Sequence, residues 1–192
     1  MRMAAARICS RGLAWRRSKR QDARDYGYYG VSHDVRSVAN RVLQIAAAND
    51  RPVTNLALNK ILYFLHAGFL HEYGTSLISA KIEAWDHGPV FREIYHQFKK
   101  FGREPISEKA RRLDPLSGTL VEVPISLNST ELVYVDLHAS ELIKLSPGRL
   151  VDMSHVRDGP WYTARYGDGR LNPGVEITDE LIRKSGEMQA RH

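Results

Sequence analysis

A mainly α fold, a single helical domain of about five to six helices with a small two- to three-stranded β element, is what three patterns in the sequence predict. Residues 54–73 are apolar nearly all round. Residues 32–49 and 89–101 each carry an apolar stripe at steps of three and four. Only two short alternating runs, KIEAWD at 81–86 and TLVEV at 119–123, read as strand.

The first helix is expected over 32–49. Ser32 is placed to cap it, Val35, Val38, Val42 and Ile45 form its stripe, and Pro52 ends it. The second begins after Thr54, a second N-cap, and stops at Gly74. Its all-round apolar character assigns it to the centre of the domain. Lys60 lies within it and must snorkel to water, pair with a carboxylate, or line a partner's groove. Asn59 beside it is suited to local hydrogen bonding.

In the 81–86 strand, Ile82 and Ala84 share one face, Glu83 and Trp85 the other. His87-Gly88-Pro89 reads as a turn, with Pro89 as the first residue of a third helix, where its missing N–H costs nothing. On that helix Val90, Phe91, Ile94, Tyr95, Phe98 and Phe101 fall within about 140° of the wheel, and Gly102 closes it. DPLSG at 114–118 is a turn, so 103–126 is expected to hold a hairpin or a sheet of two or three strands that takes in 81–86. Residues 129–145 carry conflicting signals: LVYV favours strand, the spacing of STEL and ASEL favours helix. Pro147-Gly148 breaks the chain before a short helix over 149–155. RDGPWYTARYGDGRLNPG reads as loop. Thr178 caps a last helix with Asp179 and Glu180 in its first turn and Arg183 and Lys184 later, as the helix dipole favours.

The formal net charge of +6 is confined to one end. Residues 1–30 hold eight of the 28 bases and two of the 22 acids, so the remainder carries 20 of each. The 31–190 body is therefore no basic nucleic-acid domain, and nucleic acid is a partner only if the tail functions. That tail has no apolar core of a secretion signal. A transit peptide is conceivable from its arginines, but a disordered extension is the expected reading, because like charges repel and few apolar side chains offset ordering. No apolar run reaches 18 residues, which excludes a spanning helix and a membrane role of that kind. Cys9 is the single cysteine, which excludes an intrachain disulfide and a multi-cysteine metal site and suits a cytoplasmic compartment.

Enzymatic motifs are lacking. Glu93-x-x-His96 and Asp152-x-x-His155 have the spacing of a di-iron bundle site. With Val90 at zero, however, Glu93 and His96 lie near about 300° and 240°, away from the stripe. No nucleophile elbow and no phosphate loop is present. No catalytic residue, metal or cofactor is assigned. Trp85, Asp86 and His87 at the turn are read as architecture first and recognition second, with Trp161 approaching the same region.

Three stretches stand in order: LALNKILYFLHAGFLHEYG, IEAWDHGPVFREIYHQFKKFG and LVDMSHVRDGPWYTAR. Together they resemble the Panacea domain family of SocA-like antitoxins and phage-associated proteins, over about residues 32–188. The SH followed by GPW matches the family's usual pairing; the basic tail departs from it. The resemblance implies a mainly helical fold with a small β element, and a helix over 129–145. It also implies an antitoxin that neutralises a protein toxin encoded beside it by direct contact, or that delivers it to a protease. The expected partner-binding residues are Lys60, Tyr63, Trp85, Asp86, His87, Pro89, Tyr95, His155 and Trp161. The alternatives are a DNA-binding autoregulator that uses the tail and, less favoured, a metal-dependent enzyme.

Overall fold

The computed structural model describes residues 31–167 and 173–189; residues 1–30, with the expected extension and Cys9, lie outside them. Among the described residues the chain forms seven α-helices and two separate two-stranded antiparallel sheets, the mainly α architecture expected. The helices are α1 (Val35–Ala48), α2 (Asn55–Tyr73), α3 (Arg92–Phe98), α4 (Ser129–Leu142), α5 (Pro147–Ser154), α6 (Pro160–Tyr166) and α7 (Asp179–Gln189). The strands are β1 (Ile82–Trp85), β2 (Gly88–Phe91), β3 (Arg111–Leu113) and β4 (Leu120–Glu122).

α2 is the axis of the molecule. Thr54 Oγ1 accepts from Ala57 N at its start, and Gly74 ends it in the left-handed conformation, φ 75°. It packs against α1, α3, α4, α5, α7 and β2, and Leu58, Ile61, Leu62, Leu65, Phe69 and Leu70 are fully or almost fully buried. Such all-round burial is why its apolar residues follow no single stripe. At its far end, His66 Nδ1 accepts from Ile78 N, 3.3 Å away, so Nε2 carries the proton and donates to Asp179, 2.9 Å away. That bond, with one from Ser76, holds the Asp179 carboxyl below its usual range and ties α7 to α2.

Several boundaries depart from the sequence reading. α1 is capped by Asp34, whose carboxylate accepts from Arg36 N, not by Ser32. His33 is held outside the helix by main-chain bonds with Leu77 and Ser79. Pro89 does not begin a helix. It lies in β2, which pairs with β1 in the register Ile82↔Phe91 to Trp85↔Gly88, and the helix starts three residues later at Arg92. A 3₁₀ turn at Lys99–Phe101 then runs into Gly102. The 81–86 strand therefore pairs with 88–91 and not with the 103–126 region, which forms its own hairpin, β3–β4. The free edge of β1 is covered by 174–177, through Ala84 N to Val175 O and Ile177 N to Ile82 O. Pro147 sits inside the first turn of α5 after the Ser146 cap, where a proline belongs, so the helix starts two residues before the expected position. Part of the expected loop at 157–174 is helix α6, again with proline in its first turn.

α4 is helical despite LVYV. Asn128 and Glu131 form a reciprocal capping box, and the buried Glu131 carboxylate also meets His33 Nε2 at 2.7 Å. Val135 and Ala139 are fully buried, and Tyr134 Oη donates to Leu65 O of α2. Tertiary packing thus overrides β propensity in this segment.

Candidate functional site

The three stretches singled out in the sequence meet at the β1–β2 hairpin. α2 supports it from beneath through side chains that bond main-chain atoms. Lys60 Nζ donates to Pro89 O (2.8 Å), Asn59 Oδ1 accepts from Phe91 N (2.9 Å), and Asn55 Nδ2 donates to Tyr95 O (3.0 Å). Asn59 Nδ2 in turn donates to Asn55 Oδ1 and O, which fixes both amides. Asn55 and Asn59 are one turn apart and Lys60 follows, so one flank of α2 carries the whole set.

Lys60 neither snorkels nor meets a carboxylate among the described residues. It is 0% exposed and its polar partner is a carbonyl. Burial lowers its pKa to about 7, so near neutral pH it is poised between ammonium and amine. Directly above it, Gly88 adopts φ 96°. A Cβ there would lie 2.5 Å from Ser154 Oγ and 2.7 Å from Lys60 Cε. Both the backbone conformation and the close approach of α2 and α5 require glycine.

α5 and α6 hold the other side. Trp161 is 5% exposed, and its Nε1 donates to Trp85 O at 2.9 Å. Arg165, buried one helical turn beyond Trp161, donates to Ala84 O at 3.2 Å and pairs with the exposed Asp86 carboxylate. His155 stacks on Trp161 with ring centroids 3.8 Å apart and planes at 10°. Its Nε2 is buried and has no hydrogen-bond partner among the described residues. Burial, then the proximity of Lys60 and His87, lower the His155 pKa, with Asp152 opposing, which favours the neutral ring.

The outer surface of the hairpin is aromatic. Trp85 is half-buried on the face opposite Ile82 and Ala84, as the alternation predicts. Its Nε1 donates to Glu83 Oε2 at 2.8 Å, and its ring meets Tyr95 edge-on with centroids 4.7 Å apart. Tyr95 is 36% exposed, outside the core stripe in which the wheel placed it, because that wheel assumed a helix from Pro89. His87 and His96 are exposed beside them.

The nine expected partner-binding residues therefore fall into two layers. Trp85, Asp86, His87 and Tyr95 reach the surface. Lys60, Tyr63, Pro89 and Trp161 lie beneath it, and His155 is between. Tyr63 is 4% exposed, and burial raises its pKa. Sequence reasoning missed Arg165 and Asn55. Arg165 stands four residues after Trp161, a signal that appears only once 160–166 is read as helix. The Glu93 carboxylate pairs with Arg36 at 2.5 Å on another face of α3. Among the described residues no group of three or more His, Cys, Asp or Glu side chains is placed to hold a metal ion. Nor is any described helix long and apolar enough to cross a membrane.

Comparison with known proteins covers the same part of the chain. The profile of the family described as "Antitoxin SocA-like, Panacea domain" matches residues 58–162, from two residues before Lys60 to just past Trp161. Antitoxin SocA of Caulobacter vibrioides (strain NA1000 / CB15N) is 37% identical over 159 residues, covering 82% of this chain and 85% of that protein. No solved structure matches. With more than half of the chain under the family profile and a relative of this identity along most of its length, the chain belongs to the antitoxin SocA-like, Panacea domain family.

Proposed function

We propose that the chain is a cytoplasmic antitoxin that captures a cognate protein toxin in a stoichiometric complex, without turnover, through the outer face of the β1–β2 hairpin. The observation that carries this reading is the contact of the half-buried Trp85 ring with the exposed Tyr95 on a hairpin whose main chain is pinned from two sides. Aromatic anchors dominate binding energy when they are rigidly presented, because little conformational entropy is lost when they dock. Asp86 and His87 at the loop add polar contacts at the rim. Capture would mask the toxin's active surface or present the toxin to a protease. Family membership supports the antitoxin role, and the toxin is expected to be the product of the adjacent reading frame.

The test is co-expression of that reading frame with this chain. Growth arrest by the frame alone, relieved on co-expression, supports the proposal. Replacing Trp85 and Tyr95 together with alanine should then weaken co-purification by at least about 2 kcal/mol, roughly thirtyfold, while circular dichroism and the thermal midpoint remain those of a folded protein. A folded double variant that still captures the toxin at full strength would place the interface elsewhere.

A second reading, DNA-binding autoregulation, rests on the charge of residues 1–30 alone. Removing residues 1–28 should abolish retention of promoter DNA and leave toxin capture intact if the tail has that role.

A further inference from the structure

A second surface lies on a different face of α3. The β3–β4 hairpin stands away from the core, with all six of its strand residues exposed. Asn40 clamps its base by bonding Ala110 N and O and Val123 O. Between this hairpin and α3 runs an open groove of about 470 Å³, lined by Arg36, Glu93, Gln97, Lys100, Glu108, Arg111, Arg112, Leu113 and Leu120. Leu113 and Leu120 face each other across the strands and are 63% and 65% exposed, and Leu116 at the tip is 97% exposed. A hairpin that holds three leucines in water has a surface to cover.

The charges of the groove point to the occupant. Four cations line it against two carboxylates. Arg36 is matched by Glu93 and Asp34, and Lys100 by Glu108, while Arg112 reaches Asp34 only at 4.0 Å. Arg111 pairs with no carboxylate among the described residues. Gln97 Nε2 is already spent on Arg111 O at 2.9 Å. A peptide that carries both carboxylates and apolar side chains matches the cations and the exposed leucines at once. A phosphate backbone is charged along its whole length and offers no apolar side chain to cover Leu113, Leu116 and Leu120. The chain's own residues 1–30 are basic, the same sign as the groove, and make a poor occupant.

We propose that the groove between α3 and the β3–β4 hairpin docks an acidic, leucine-bearing peptide segment of a partner protein, with carboxylates on Arg111 and Arg112 and apolar side chains against Leu113 and Leu120. This goes beyond the capture face at Trp85 and does not depend on it. The probe is a fluorescein-labelled octapeptide of alternating glutamate and leucine, titrated with the full chain by fluorescence anisotropy. The controls are the matching lysine–leucine octapeptide and a fluorescein-labelled single-stranded oligonucleotide. The expected result is saturable binding of the acidic peptide, weakened at least about tenfold by Arg111→Glu and also weakened by Leu113→Ser, and unchanged by Lys144→Glu, an equal charge change outside the groove. All three substitutions are at exposed positions, and a thermal melt checks each fold. Tighter binding of the oligonucleotide, equal binding of the lysine peptide, absence of saturable binding, or indifference of folded Arg111→Glu would overturn the proposal.

Discussion

Lys60 shows how one buried side chain can govern a pH response. Its pKa falls from 10.5 in the unfolded chain to about 7 in the folded protein because burial penalises the ammonium form. Between these values the unfolded chain binds more protons, so stability rises with pH through that window, by roughly 1.4 kcal/mol per pH unit. Below about pH 7 the full cost of burying charge is present. Tyr63 acts in the opposite sense: its raised pKa makes stability fall above about pH 10. The urea midpoint of the wild type should therefore climb between pH 7 and 9.5, and Lys60→Met should flatten that climb. A wild-type midpoint that does not change across the window would show that the amine is hydrated. Gly88 is the second decisive residue. Gly88→Ala adds backbone strain at φ 96° and a contact with Ser154 Oγ and Lys60 Cε, and should lower unfolding free energy by about 2 kcal/mol or more. Equilibrium urea unfolding measures it. Lys60 was conspicuous in the sequence as a charge in an apolar helix. Its partner was not, because nothing in the sequence reveals that a carbonyl 29 positions away closes the site.

At the scale of elements, the hairpin and α3 form a unit set by α2. A helix from Pro89 would need the Pro89 carbonyl to accept from Glu93 N, and that carbonyl is instead turned to Lys60, while Phe91 N is held by Asn59. Residues 88–91 are thus kept extended by tertiary bonds against a sequence pattern that reads as helix. Asn59→Ala should leave Phe91 N unpaired and cost about 1–3 kcal/mol. Amide exchange should quicken most over 88–95, ahead of the α2 core; a uniform acceleration would contradict the idea of a separately held unit. Elements whose ends carry their own caps were legible beforehand. α2 between Thr54 and Gly74 is one, and α7 is another, where Thr178 Oγ1 accepts from Leu181 N. The 114–118 turn was also legible, since Asp114 bonds the amides of Leu116 and Ser117 locally. The start of α1, strand β2 and helix α6 were not, because long-range main-chain partners decide the first two and a dense Gly-Pro-aromatic composition masks the third. Of the candidate site, the participating stretches were readable, but their division into a buried layer and an exposed one follows from the pairing of β1 with β2.

Across the whole molecule, the body beyond residue 30 carries equal numbers of acids and bases, and two surfaces of different character flank α3. One is aromatic and the other is a cationic groove with an apolar rim. The supports of the aromatic surface touch mostly backbone: Pro89 O, Phe91 N, Tyr95 O, Trp85 O and Ala84 O. Asp86, tied to Arg165, is the exception. An anchorage that grips the polypeptide spine is blind to what the spine displays. The side chains at positions 87, 92, 95 and 96 make none of these anchoring bonds, and a library randomised at those four codons should yield mostly soluble, cooperatively melting proteins. Such a mount lets the identity of the captured molecule change by substitution while the architecture beneath stays as it is.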